Sequence, residues 1–222
     1  MSYSLDFGWL YGALGAIGRG AAMTVFLIVV TTLAGILISV LAAAGRRSGI
    51  GWLRQAIGVY VEVIRNTPFL VQIYFIFFAL PFAGVRLDPT PTAIIALGIN
   101  GGAYAIEIIR GGVQSIPRGQ IEAGMALGLH RLQVFRLVVF KPAMRAIFPS
   151  LASQFILLSL TTSVTSAIAA YELTSVAQRI ESDSFRSFEV YGAVTVLYLG
   201  MSTLLLIAFG FVARHLFHYP NK

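Results

Sequence analysis

QIEAGMALGLHRLQVFRLVVFKPAMR, residues 120–145, is a polar and basic stretch in a chain that is otherwise nearly all membrane-compatible. Glu122-Ala123 opens it, Leu127-Gly128 punctuates it, and Arg131, Arg136, Lys141 and Arg145 load its second half with positive charge. Such a segment does not sit in hydrocarbon, where one Lys or Arg at a helix centre costs about 2.5–3.5 kcal/mol. It must emerge on one side of a membrane, and the fold follows from the apolar runs on either side of it.

Those runs are five. Residues 20–45, 66–85, 89–106, 146–171 and 190–213 each lack a charged side chain. Each is near or above the roughly 20 residues with which a helix crosses the hydrocarbon layer. The chain is 57% hydrophobic and 11% charged, with a mean hydropathy of +0.82, against about 25% charged in soluble domains. The expectation is an all-α integral membrane protein of about five transmembrane helices. It forms one domain over residues 1–222, with spans near 20–45, 67–83, 89–109, 147–168 and 189–213 and a cytoplasmic loop at 112–145. A secretory signal peptide is not expected, because the first apolar run starts only near Gly20, is too long, and has no basic segment before it.

Charge orients the spans. Of the sixteen Lys and Arg, twelve fall between spans 1 and 2, between spans 3 and 4, or after span 5, the last being Lys222. Arg19, Arg86, Arg179 and Arg186 fall on the other side. The excess marks the cytoplasm, which places the N-terminus in the periplasm and the C-terminus in the cytosol. The net charge of +7 then reflects topology and attraction to anionic lipid, and no basic patch is left over to suggest nucleic acid. The absence of cysteine excludes disulfides, Cys-ligated zinc and thiol catalysis.

Local signals refine this picture. Residues 1–19 read as a short outer segment at the interface. Residues 52–65 alternate Trp52, Ile57, Tyr60, Val61 and Ile64 with Arg54, Gln55, Glu62 and Arg65, the pattern of an amphipathic helix on the inner surface or of the beginning of span 2. Thr67-Pro68 favours a break, since the residue before proline avoids helical φ/ψ. Asn100 and Gly101-Gly102 in span 3 suggest close helix packing. Glu107 and Arg110, one turn apart, are either a paired set of charges at the end of the span or an intramembrane functional site. In the loop, Ser115-Ile116-Pro117 reads as a capped helix start, with a helix over 120–127 closed by a left-handed Gly128. A second helix over 132–140 is expected to stop before Pro142. The small residues Ala123, Gly124, Ala126 and Gly128 keep this knob's surface low, so that a partner can approach the backbone.

Span 4, expected to start near Pro149, carries Ser159, Thr161, Thr162, Ser163, Thr165 and Ser166. These hydroxyls either bond their own helix carbonyls or line a polar path where the helix is unwound. His215 and His218 share a helix face but are weak evidence for a metal. No Walker A run exists: the only lysines, Lys141 and Lys222, lack its context. No GxSxG, HExxH or internal repeat stands out either. Physically, the chain reads as half of a pore with a docking knob, powered by another chain.

Three stretches carry a family resemblance. Residues 62–72, EVIRNTPFLVQ, are similar to E-x-x-RGTP-x-LVQ, with Asn66 in place of Gly. Residues 104–120, YAIEIIRGGVQSIPRGQ, resemble Y-x-x-E-x-x-RGGIQSIP-x-GQ almost throughout. Residues 122–149 resemble the EAA signature, E-A-A-x-x-L-G followed by F-x-x-V-x-LPQA-x-R and Pro. These are patterns of the membrane subunits of ATP-binding-cassette importers for polar amino acids, the histidine/glutamine permease-like group.

The resemblance implies a type I importer fold, with no catalytic residue and no metal site. Glu122, Ala123, Gly124, Leu127 and Gly128 would form the coupling helix that docks in the ATPase subunits. Gln72, Tyr104, Glu107, Thr161, Thr162 and Ser163 would lie along the substrate pathway. The implied partners are two ATP-binding cassette subunits, which hold ATP and Mg²⁺, a second permease subunit that is a related chain or an identical copy, and a periplasmic amino-acid-binding protein. The setting is the bacterial inner membrane and its lipid. Departures are Gly124 for the second Ala of the signature, Lys141-Pro142 for Pro-Gln, and Ser153 and Leu160-Thr161 where relatives often carry Asn and Lys-Asp. A neutral half-site makes a cationic substrate less favoured. The competing functions are a membrane scaffold or sensor that moves nothing, and an ion channel.

Overall fold

Glycine and alanine set the central contact of the molecule, between α1 (Trp9–Arg47) and α4 (Pro89–Gln114). A Cβ placed on Gly35 would meet Gly101 backbone at 3.2 Å, one on Gly98 would meet the Ala34 methyl at 3.2 Å, and one on Gly102 would meet Ile38 at 2.7 Å. The two backbones therefore approach more closely than side chains would allow. Helices in lipid associate by such packing, since the apolar solvent supplies no hydrophobic force between them. The contacts advance together along both helices, so α1 and α4 run parallel and their C-terminal ends share one end of the bundle.

The computed structural model describes residues 4–216, which contain nine α-helices and no strand. His218 and Lys222 lie outside the described residues. Four helical stretches are long and apolar enough to cross a membrane: Trp9–Arg46, Pro89–Gln114, Arg131–Ile168 and Ser187–His215. A fifth crossing exists only if α2 (Gly51–Arg65) and α3 (Phe69–Ala79, extended by a 3₁₀ turn, Leu80–Ala83) count as one span bent by 109°. The break falls at Thr67-Pro68 as expected, with Pro68 extended at ψ 138°. Alone, the 11 residues of α3 rise only about 16 Å. On α2, Val61, Ile57 and Tyr60 pack against Ala42 and Ile106, while Trp52 is 71% exposed. The Tyr60 hydroxyl donates to the Ile99 carbonyl at 2.5 Å, fastening α2 to α4.

Several local expectations need correction. Residues 9–19 are the first turns of α1 rather than a segment separate from span 1. Trp9, Leu10, Ala13 and Ile17 recur at helical spacing and pack on α8 (Leu173–Ser184) and α9 (Ser187–Leu216). Ser115 does not open the loop helix. It closes α4, with its N–H on the Gly111 carbonyl at 3.0 Å and its hydroxyl on the Gly112 carbonyl at 2.8 Å, and Pro117 takes the next N-cap.

The helix from Arg131 does not stop before Pro142, nor does a span begin at Pro149. A short α6 (Arg131–Gln133), opened by a His130–Gln133 capping box, passes into a π segment, Val134–Val139, and then into α7 (Phe140–Thr161). The Phe140 N–H reaches back five residues to the Phe135 carbonyl. This widening, just upstream of Pro142, displaces the carbonyl that the proline ring would otherwise strike. Pro149 is carried inside α7 at the loss of one intrahelical hydrogen bond. From Thr162 to Ile168 the helix tightens to 3₁₀, and it ends at Ala169 with φ 58°. α7 packs on α4, and Phe155 stacks on Phe209 of α9 at 6.2 Å.

Candidate functional site

The knob is α5 (Arg118–Ala126), at the end of the bundle where α1 and α4 finish. Gly128 adopts φ 79°, its N–H bonds the Met125 carbonyl at 3.0 Å, and the Leu129 N–H bonds the Gly124 carbonyl at 3.2 Å. This left-handed closure satisfies the helix's last carbonyls. Glu122, Ala123 and Gly128 are exposed, and Leu127 is 82% exposed. Gly124 faces the other way. It is buried, and a Cβ there would lie 3.3 Å from Val134 and 3.4 Å from Val138. It therefore faces the π segment that seats α5, not the outside. Ile116 and Ile121 join Val134, Val139, Ala143 and Ile147 in one apolar cluster, so the knob is clasped to the long helix rather than hung from a loop.

Of the residues expected along a pathway, Gln72 is buried, with its amide nitrogen on the carbonyls of Ile64 (2.7 Å) and Thr67 (3.0 Å) and its oxygen receiving Asn100 at 3.0 Å. Tyr104 and Glu107 come together with Arg65. The guanidinium lies 5.5 Å from the Tyr104 ring centroid and 3.8 Å from the Glu107 carboxylate, which also pairs with Arg110. The charges at the end of α4 are thus a paired set. Thr161, Thr162 and Ser163 belong to a separate region, and no hydrogen bond or ion pair among the described residues joins it to Glu107.

All six hydroxyls of this region donate to carbonyls of their own helix, from Ser159 on Ile156 (2.6 Å) to Ser166 on Ser163 (2.8 Å). These bonds match the first of the two sequence readings, and from Thr162 the helix is tightened to 3₁₀ rather than unwound. Ser159, Thr162 and Thr165 are buried, while Thr161, Ser163 and Ser166 are partly open. With their protons committed, the open hydroxyls present lone pairs outward.

The structure adds two buried carboxylates, Glu172 and Glu189, that the sequence did not single out. Glu172 caps α8, accepting from the Ser175 N–H and the Tyr198 hydroxyl, both at 2.7 Å. Burial pushes its carboxyl above the usual carboxylate range, and the hydrogen bonds it receives oppose this. Glu189 accepts the Asp6 N–H at 3.1 Å and lies 3.5 Å from Arg186, which also holds the Ser4 carbonyl. The Glu172-x-x-Ser175 spacing of a reciprocal cap was the available signal. Among the described residues no three His, Cys, Asp or Glu side chains gather as a metal site, and His215 stacks on Phe211.

A bundle of long apolar helices that carries one exposed polar knob at its end is the build of a membrane-embedded protein with a docking surface. The chain belongs to the family described as "Binding-protein-dependent transport system inner membrane component", matched over residues 35–218. It is accordingly a multi-pass inner-membrane protein with the type I ABC importer permease fold. It is 39% identical over 217 residues to the glutamine transport system permease protein GlnP of Escherichia coli K12, covering 96% of this chain and 97% of that one. It is 37% identical over 205 residues to the L-cystine transport system permease protein TcyB of Bacillus subtilis 168, covering 91% and 87%. A crystal structure of an amino acid ABC transporter matches with a TM-score of 0.89 at 30% identity, covering 96% of this chain and all of that one. The MetNI methionine transporter in inward-facing form shares the fold, with a TM-score of 0.76 at 20% identity over 93% and 99% of the two chains. As a family, ABC importer permeases work with ATPase subunits and a substrate-binding protein.

Proposed function

We propose that this chain is one permease half of an ATP-driven importer for a polar amino acid or a close derivative, with the N-terminus in the periplasm and α5 in the cytosol. Two ATP-binding cassette subunits, which carry the ATP and Mg²⁺, grip the exposed side of α5 through Glu122, Ala123, Leu127 and Gly128. Gly124 seats the helix from behind. No cofactor is held by this chain. A second permease, identical or related, completes the pore, and an external binding protein delivers the substrate.

The observation that supports this most is the clasped knob. α5 is braced on a helix that runs without a break from Arg131 to the hydroxyl region. Nucleotide states drive a conformational change only if they bind its two states with different affinity, and a rigid exposed helix end can report that difference. The relatives' names favour an amino-acid substrate. Thr161 and Ser163 supply a neutral, acceptor-rich wall, and Gln72, Tyr104 and Glu107 shape the inner half of the path.

The test is uptake of labelled amino acids in vesicles bearing the complete system with Glu122→Arg. Transport and substrate-stimulated ATPase activity fall together by about tenfold or more, the loss of a buried charge contact. Undiminished coupled uptake refutes the docking role.

A further inference from the structure

The end of the bundle opposite α5 holds a cavity of about 910 Å³. Its walls come from three places: the first turns of α1 with Trp9 and Arg19, the last turn of the 3₁₀ segment with Ser166, and α8 with Gln178, Arg179 and Asp183. The site is far from the knob in the fold, because α1 and α4 run parallel toward α5 while α7 runs away from it.

The charged side chains on these walls are all exposed. Arg19, Arg179 and Asp183 line one space, yet among the described residues none has an ion pair or a hydrogen-bond partner. Elsewhere around α8 the charges are engaged: Arg186 with Asp6 and Glu189, and Glu181 with the Ser187 hydroxyl. Two cations and one anion facing a shared cavity without neutralising one another suit a ligand that carries both signs. The three charges sum to net positive, which draws a carboxylate, and Asp183 adds a counterpart for a positive group that a simple anion does not carry. The indole N–H of Trp9, on the same wall, is buried without an acceptor. Gln178 donates to the Ser166 hydroxyl at 3.4 Å, which ties α8 to the end of the hydroxyl series and leaves the Gln178 carbonyl oxygen free to accept.

We propose that this cavity is a receiving site for the head group of an α-amino acid zwitterion, with Arg19 and Arg179 taking the carboxylate and Asp183 the ammonium. The site reads the head group common to amino acids, and selection among side chains lies elsewhere. Ser166 places the ligand at the entrance to the acceptor-lined helix. This proposal rests on the importer reading given above.

The experiment is equilibrium binding to the complete transporter, permease and ATPase subunits together in lipid nanodiscs, without the binding protein. The probes are radiolabelled L-glutamine, glutaramate (the same molecule without its ammonium) and 4-aminobutanamide (without its carboxylate). Asp183→Asn weakens L-glutamine binding by about tenfold and leaves glutaramate unchanged or tighter. Arg179→Gln weakens L-glutamine and glutaramate together and spares 4-aminobutanamide. Both side chains are exposed, so unaltered thermal unfolding of the variants excludes misfolding.

The proposal is overturned if either variant binds all three probes as the wild type does, or if the wild type binds no L-glutamine. Whole-cell uptake of a panel of polar amino acids separates the two readings. Uptake that persists without binding at this cavity removes the receiving site and leaves the importer standing. No uptake of any member of the panel removes both.

Discussion

The Asn100 side chain of α4 donates its amide N–H to Oε1 of Gln72 in α3 at 3.0 Å, and Gln72 passes the connection on to the carbonyls of Ile64 and Thr67. One glutamine thus pins the 109° knee between α2 and α3 to the central helix. Gln72→Leu strands two backbone carbonyls and the Asn100 amide, and lowers stability by about 1–3 kcal/mol. Thermal unfolding of the purified protein in detergent measures this. Adding Asn100→Leu costs less than the sum of the two single changes, since the partners are lost together.

Gly112 and Ile147 define the second tight contact. A Cβ on Gly112 would stand 2.1 Å from Cγ1 of Ile147, an overlap that requires the Ile147 side chain or the two helices to shift. Gly112→Ala destabilises by about 1–3 kcal/mol, and Ile147→Ala placed beside it recovers part of the loss. If the single variant unfolds at the wild-type temperature, this packing is not as described.

The two knob glycines respond differently to alanine. At Gly124 the added methyl meets Val134 and Val138 at 3.3 and 3.4 Å, so it requires only a slight shift. It gains about 1 kcal/mol of helix propensity, and unfolding temperature and coupled ATPase activity stay near wild type. Gly128→Ala forces a side chain into the left-handed region at φ 79°, at a cost of about 1–2 kcal/mol. It loosens the end of α5 and lowers coupled ATPase activity.

Glu172 gives stability a pH dependence with a definite sign. An unfolded glutamate titrates near pH 4.3, and burial raises the folded value above that. The native state therefore holds the proton more tightly. The stability this contributes is complete below the unfolded pKa and is lost as pH rises through the folded one. Glu172→Gln removes that component while keeping a hydrogen-bonding side chain at the cap. The unfolding temperature of the wild type, compared with the variant from pH 4 to pH 8, falls as pH rises. Parallel curves for the two proteins refute a raised carboxyl at this position.

Much of the architecture was legible because hydrocarbon imposes a simple rule: a charge-free run of sufficient length is a span. The break at Thr67-Pro68 and the left-handed Gly128 were equally readable, since proline and glycine act locally. The misread points all concern residues whose meaning depends on distant partners. Pro142 and Pro149 look like helix boundaries, but the π segment and the packing of α7 absorb them. Gly124 looks like an exposed small residue until Val134 and Val138 are placed beneath it. Residues 9–19 lack a long apolar run, yet their spacing matches α8 and α9, which lie more than 150 positions later. At the knob, the exposed helix and its closure at Gly128 were legible from motif spacing. The cavity was not, because Arg19 and Asp183 meet only in three dimensions.

The uninterrupted course from Arg131 to Ile168, 38 residues, has a mechanical consequence. A course of that extent is about 57 Å long, and the places where it can flex are the π segment, the inner proline and the 3₁₀ end. A tilt of about 5° imposed at the knob sweeps the opposite tip through about 5 Å, enough to shift a wall of the outer cavity by the width of a water molecule or more. Pro142 and Pro149, which would ordinarily mark a hinge, both lie inside this one course, so whatever part of a tilt at the knob the helix carries as one body is felt at its other end.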